Sequence, residues 1–274
     1  MLEAKILPEA DLQPPKPILH RSRRCSAGER AARIRVKALS LLLVGAVACG
    51  SLGLVNASAL PQTTATLKSA DKVPVAMQLR LPFCSKQKLL PNGSEAVSTL
   101  MLLHYWGIPA DLDRVVSALE TAPLQKQGAA LTGPDPENAF AGNPRKKGSA
   151  GCFAPPLVRL FTKFLPPLLR AKDTTGTSLE QLSKENIAAG EPVLIWATAS
   201  MCAPAETIHW TLPDQSSFDW PVNTVCMVLV GYDDSAYWLE DPSRESGPTR
   251  WDKQLVKKRY EALGSHCLVV SKAP

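Results

Sequence analysis

An α+β fold is what this sequence predicts, with helices early in its body and an antiparallel sheet late. Three observations lead there. The stretch LPNGSEAVSTLMLLHYWG (90–107) reads as a tight turn followed by a helix that is apolar nearly all round. Four short apolar runs of strand length follow after residue 191, bounded by turn residues. No internal repeat or low-complexity tract interrupts the body after residue 72. Helices first and strands later is the order of an α+β domain, not of alternating βαβ units.

The first helix should span 94–106. Asn92 and Glu95 have the spacing of a capping box, and Gly107 followed by Pro109 stops it. Asp111 caps a second helix with Leu112, Val115, Val116 and Leu119 on one face. Residues 122–155 read as a long irregular region containing GPDPENAFAGNPRKKGSAGCFAPP. A loop of that length inside a compact domain is usually functional. A short helix follows near 156–165, then one capped by Thr177 with Glu180 and ended by Gly190. Strands are expected at 192–200, 223–232, 236–240 and 266–271, with a helix at 253–263 before the last.

Charge and cysteine usage narrow the function classes. The net charge of +6 is unevenly placed. Residues 1–59 carry nine Lys/Arg against four Asp/Glu (+5), and residues 60–274 carry 22 against 21 (+1). The basic excess belongs to the leader, so the body offers no basic footprint for nucleic acid. Cys25 and Cys49 lie in the leader; Cys84, Cys152, Cys202, Cys226 and Cys267 lie in the body. Their wide spacing forms no CxxC pair, so no metal site is expected, and no cofactor either.

The leader divides into a basic, proline-bearing segment (1–37), an uncharged run (38–60) and a polar linker (61–72). The run ALSLLLVGAVACGSLGLVNASAL has the length of a bilayer crossing, which takes ~20 residues. Its basic flank predicts an N-terminus in the cytoplasm and a body outside. Three readings compete: a signal peptide cut after Ala59, a lipoprotein box ending at Cys49, and an uncut single-pass anchor. All three export the body.

In order along the body stand LPNGSEAVSTLMLLHYWG, GPDPENAFAGNPRKKGSAGCFAPP, GEPVLIWAT, WPVNTVCMVLVGYDD and YWLEDP. Together they resemble the bacterial peptidase C39-like family, relatives of the bacteriocin-processing cysteine peptidases with a papain-like fold. The resemblance spans roughly Val73 to Lys272 and implies one such domain over 73–274. It implies that Ser94 stands where the family's nucleophilic Cys stands, in an Asn-Gly-Cys-Glu motif matched by Asn92, Gly93 and Glu95. It places Val225 where the general-base His stands, two residues after Asn223. Asp241 keeps the acid that would orient that His, and the oxyanion Gln falls loosely on Lys86, with Gln87 one residue off.

The chemistry follows from these exchanges. A thiol at a helix N-terminus is activated by the dipole and a neighbouring imidazolium. A hydroxyl needs a base placed to remove its proton, and Val225 is no base. His209, expected in the loop before the strand, is the one candidate replacement. The expectation is a degenerate, membrane-tethered peptidase fold whose cleft binds a peptide or cell-envelope ligand. Asn92, Gly93, Glu95, Trp196, Trp220 and Asn223 are the candidate cleft residues. The rivals are a hydrolase using Ser94 with His209 or another thiol, and a non-catalytic scaffold.

Overall fold

The computed structural model describes residues 73–86 and 90–273. In chain order its elements are β1 (Met77–Gln78), α1 (Ser94–Tyr105), α2 (Leu112–Ala118), β2 (Thr121–Ala122), β3 (Gln125–Gln127), β4 (Ala130–Thr132), β5 (Phe140–Ala141), α3 (Ala154–Thr162) and β6 (Leu169–Asp173). They continue with α4 (Leu179–Glu185), β7 (Val193–Thr198), β8 (Thr207–Thr211), β9 (Ser217–Pro221), β10 (Thr224–Tyr232), β11 (Ala236–Glu240), β12 (Thr249–Asp252), α5 (Lys253–Glu261) and β13 (Cys267–Lys272). The leader, the uncharged run 38–60 and the linker 61–72 lie outside the described residues, with every expectation placed on them. Among the described residues no helix is long and apolar enough to cross a membrane.

The main sheet runs β12-β11-β10-β7-β13-β6, with β1 also paired to β10, and every pairing in it is antiparallel. Its centre is β7 and β10. β7 is buried along its whole length, and β10 is buried from Val225 to Tyr232. Strands covered on both faces read as continuous apolar runs instead of an alternation, which is what VLIWAT and VCMVLV show. Helix α1 packs on β10 and α5 on β7. Ten consecutive residues of α1, Ser94 to Leu103, are buried, so the apolar composition all round the helix is met by cover all round.

Several local expectations are corrected. Asn92 does not cap α1: the N-cap is Gly93, with no side-chain cap. The Asn92 amide instead donates to the Lys146 carbonyl at 2.8 Å, tying the turn to the long loop. Ser178, not Thr177, caps α4, accepting from the Gln181 N–H, while the Thr177 hydroxyl donates to the Thr174 carbonyl. Gly190 ends that segment one short 3₁₀ turn later, at φ 82°, where a side chain would be strained.

The structure also contains strands that the expected pattern lacked. β6 and β12 form the two edges of the main sheet, and their polar sequences LRAKD and TRWD fit exposed edges. A second sheet, β3-β4-β8-β9, is built partly from the region expected to be irregular. His209 therefore lies in strand β8 and not in a loop.

Candidate functional site

Where the N-terminus of α1 meets the start of β10, the surface opens into a cleft of about 310 Å³. Its floor carries Ser94 from α1 and Thr224 and Val225 from β10. One wall is the loop Gly148–Ala150, another is Ile208 and Trp220 of the β8–β9 hairpin, and Lys86 and Asn92 close the near side. Two contacts fix α1 against β10. The Ser98 hydroxyl donates to the Cys226 carbonyl at 2.9 Å, and the Cys226 N–H donates to Ser94 Oγ at 3.2 Å. Ser94 and Val225 thus share one cleft.

The Ser94 hydroxyl is engaged on both sides. Besides accepting from Cys226, it donates to Glu95 Oε2 at 3.0 Å. Glu95 is buried behind Ser94 and does not line the cleft; its Oε1 accepts the Cys152 N–H at 3.3 Å. Burial pushes the Glu95 carboxyl up, opposed by Lys86 and by the hydrogen bonds from Ser94 and Cys152. This carboxylate therefore anchors the long loop to the first turn of α1. The tightness of that anchor explains Gly151: a β-carbon there would lie 2.2 Å from Glu95 Oε1 and 2.5 Å from the Trp220 ring.

No imidazole reaches Ser94 from any of the three histidines among the described residues. His104 is exposed near the far end of α1, its Nε2 2.8 Å from the Ala110 carbonyl oxygen. His209 pairs with Asp219 at 2.9 Å on the β8–β9 hairpin. Ile208 and Trp220, cross-strand partners one residue away, line the cleft. Successive strand residues face opposite sides, so His209 and Asp219 point away from it. That removes His209 as a base for Ser94. His266 stacks on Phe153 with ring centroids 3.6 Å apart, its Nδ1 3.5 Å from Glu137, and neither ring lines the cleft.

Among the described residues no cysteine lines the cleft. Burial pushes Cys152 and Cys226 well above the ordinary thiol range, and the nearby Glu95 raises both further. Burial also raises Cys84. Burial of this kind disfavours the thiolate, which is the form that attacks.

The remaining sequence candidates divide between the cleft and its support. Asn92, Trp220 and Asn223 line the cleft. The Asn223 side chain also bridges the Ala205 N–H and the Ala203 carbonyl, each at 2.8 Å, which holds the segment before β8 in place. Trp196 does not line it: the ring is fully buried in the core and its Nε1 donates to the Cys152 carbonyl at 3.0 Å. Gly93 is buried at the helix start and likewise contributes no lining surface.

Asp241 is buried and accepts the Ser243 N–H at 2.8 Å, the role of a turn former before proline. Burial raises its carboxyl, opposed by Ser243, Lys86 and Arg244. The Lys86 N–H is bound to the Pro242 carbonyl at 2.8 Å, so the lysine and the Asp-Pro turn are joined through the backbone. Gln87 lies outside the described residues.

Sequence reasoning missed the hairpin wall. Its signal was present: Ile208 and Trp210, then Phe218 and Trp220, alternate on either side of Pro-Asp-Gln-Ser, the pattern of two strands and a turn. Among the described residues no group of acidic, His and Cys side chains is placed to hold a metal ion.

Residues 71–268 match the Peptidase C39-like family. A crystal structure of a C39-like peptidase from Bacillus anthracis is 27% identical, covering 72% of this chain and 98% of that one, with a TM-score of 0.65. A double-glycine-motif protease of an AMS/PCAT transporter, solved with its leader peptide, is 14% identical over 72% of this chain and 95% of its own, with a TM-score of 0.42. None of the curated proteins matches the sequence significantly. With its motifs in order, its α+β arrangement of α1 against an antiparallel sheet, and that family match, the chain belongs to the peptidase C39-like family, with the papain-like fold this implies.

Proposed function

We propose that this protein is a non-cleaving member of its family, an exported and membrane-tethered domain whose cleft binds a peptide. One observation carries the reading: the cleft is open, yet its would-be nucleophile is a hydroxyl bound to Glu95 and the Cys226 N–H, with Val225 beside it. General-base removal of the proton is what a serine needs for attack, and it contributes typically 10²–10⁴-fold in rate. The cleft retains what binding needs: the Trp220 ring, the exposed Val222 at the rim, and several hydroxyl and amide groups. Its volume sits at the small end of the ~300–1,000 Å³ typical of ligand sites.

The test is equilibrium binding of a random peptide library, with the bound fraction recovered and weighed by mass spectrometry. Bound peptides should return intact. Val222→Ser, a rim change that leaves the core untouched, should weaken them about fivefold through lost apolar contact. Shortened peptides in the bound fraction, or no retained peptides, would sink the reading.

Export and tethering rest on the seven Lys/Arg and one Glu of residues 21–37, directly before the uncharged run 38–60. A reporter active only in the cytoplasm, fused after Pro274, should be silent while the fusion pellets with membranes. A strong reporter signal would overturn that part alone.

A further inference from the structure

Among the described residues four large apolar side chains stand exposed: Val73, Val75, Leu168 and Val222. Val222 belongs to the rim of the cleft. The register of the main sheet shows where the other three lie. The cleft is at the start of β10, where Val225 pairs with Ala197 of β7. Further along, Leu229 stands opposite Val193, and Val193 opposite Val269 of β13. From that level β13 runs on to Lys272, which pairs with Leu169 of β6, directly after Leu168. β10 runs on to Tyr232, which pairs with Met77 of β1, two residues after Val75. The Tyr232 hydroxyl donates to the Pro74 carbonyl at 2.8 Å, which holds the segment between the two valines at the end of β10. Val73, Val75 and Leu168 therefore gather at one end of the sheet. The cleft is at the other end, ~23 Å back along β10 at ~3.3 Å per residue.

The chemistry around Leu168 is distinctive. It lies in the turn between α3 and β6, in KFLPPLLRAK (163–172), a stretch without an acidic residue. Pro166 and Pro167 are exposed beside it, and Leu168 itself is 78% exposed. Arg170 pairs across with Ser271, and Lys272 with Leu169, so the two cations flank the tip on opposite faces of the sheet. Arg170, Lys172 and Lys272 are exposed and in no ion pair among the described residues. Lys163 differs, being matched with Arg159 by Glu120. Towards Val73 the charge is mixed: Glu180, Asp233 and Asp234 line a pocket there with Lys184 and Lys253.

An apolar point flanked by unpaired cations fits a surface that is apolar within and anionic at its face, which is a lipid bilayer. A projecting turn offers a protein partner little area, whereas a bilayer takes it in. Chain length favours the same occupant. Residue 60, the last of the uncharged run, lies 13 residues before Val73, a reach of at most ~45 Å. A patch this small would hold a membrane weakly by itself. A tether keeps it beside the bilayer at an effective concentration high enough to dock.

We infer that this end of the main sheet rests on an anionic lipid surface. Leu168 and Val75 enter it, Arg170, Lys172 and Lys272 meet its headgroups, and the cleft is held at the end of the sheet away from the bilayer. This rests on the tethering reading above and says which way the tethered body faces. Peptides outside the membrane reach a cleft so placed.

The experiment uses the full-length protein with the photo-crosslinking residue benzoylphenylalanine in place of Leu168, and a second preparation with it in place of Val222. Both positions are exposed, so neither change disturbs the core. Each is reconstituted into vesicles of phosphatidylcholine and phosphatidylglycerol in equal parts, illuminated, and weighed by mass spectrometry. Lipid adducts should form at position 168 at least ten times more than at 222. The yield at 168 should fall about fivefold in phosphatidylcholine alone, and as far with Arg170→Gln and Lys272→Gln together.

Equal lipid yields at the two positions, or adducts at 168 to protein only, would overturn the inference while leaving the tether in place. Protein stripped from the vesicles by a carbonate wash would overturn the tethering reading and this one with it.

Discussion

Ser94→Cys alone leaves the protein without measurable peptide cleavage, and Ser94→Cys with Val225→His cleaves at least ~10²-fold faster than the single variant. The first half follows from the cleft. A cysteine at 94 would stand at the start of α1, but it would face Val225, which neither accepts a proton nor stabilises a thiolate. The nearest acid, Glu95, is buried, and burial raises its carboxyl. A negative charge beside the sulfur disfavours the thiolate further.

The second half follows from the register of the main sheet. Val228 pairs with Glu240, so continuing that ladder by one residue sets Asp241 opposite Met227, which shares a strand face with Val225. A histidine at 225 would have Asp241 on the neighbouring diagonal, within reach of a long side chain. The acid would then orient the ring and stabilise its charged form. The family resemblance sets the oxyanion donor loosely at Lys86, so on that reading the double variant would still lack a neutral donor. Mass spectrometry of a peptide library incubated with wild type, Ser94→Ala and both variants gives the answer. Turnover by the wild type that Ser94→Ala abolishes would overturn the pseudopeptidase reading.

How much of this was legible in the sequence depends on which interaction decides each feature. The central strands and α1 could be read because burial writes itself locally, as unbroken apolar runs. The edges β6 and β12 could not, since LRAKD and TRWD have the composition of loops and become strands only by pairing with β13 and β11. Caps failed for a related reason. Asn92 has the right type and spacing to cap α1, but its amide is taken by the carbonyl of Lys146, 54 residues later. Glu95 could be singled out by its motif, yet one of its partners, the Cys152 N–H, lies across the fold. Trp196 and Trp220 look alike on strands of similar composition. Only the pairing of β7 with β10 and β13 puts the first in the core, and only the β8–β9 hairpin brings the second to the cleft.

Glu240→Gln should stabilise the protein on the order of 3 kcal/mol at pH 8 and change it little at pH 4. Glu240 is 2% exposed, at the end of β11, and its Oε2 has no hydrogen-bond partner among the described residues. Its surroundings are tight as well as apolar: a β-carbon at Gly247 would lie 2.9 Å from its carboxyl carbon and 3.0 Å from the Phe83 ring. Burial pushes its carboxyl from 4.5 up to about 7. Below pH 4.5 the group is protonated in the folded and unfolded chains alike and has no effect. Between pH 4.5 and 7 the folded chain holds a proton that the unfolded chain has released, so stability falls as pH rises through that window. Above 7 both forms are ionised and the full cost of burying the charge is present, at ~1.4 kcal/mol for each tenfold weakening of the acid. Glutamine keeps the shape and never ionises. Urea unfolding of wild type and variant at pH 4 and pH 8 isolates this group, because every other titration cancels in the difference. A variant no more stable than wild type at pH 8 would show that the ionised carboxylate has a partner in the folded protein. The expected result is the opposite: below pH 4.5 a protonated Glu240 sits without penalty one residue before Asp241, next to the Asp-Pro turn whose Pro242 carbonyl binds the Lys86 N–H, and the penalty builds from there to about pH 7. That segment should therefore be held more firmly at pH 4 than at pH 8.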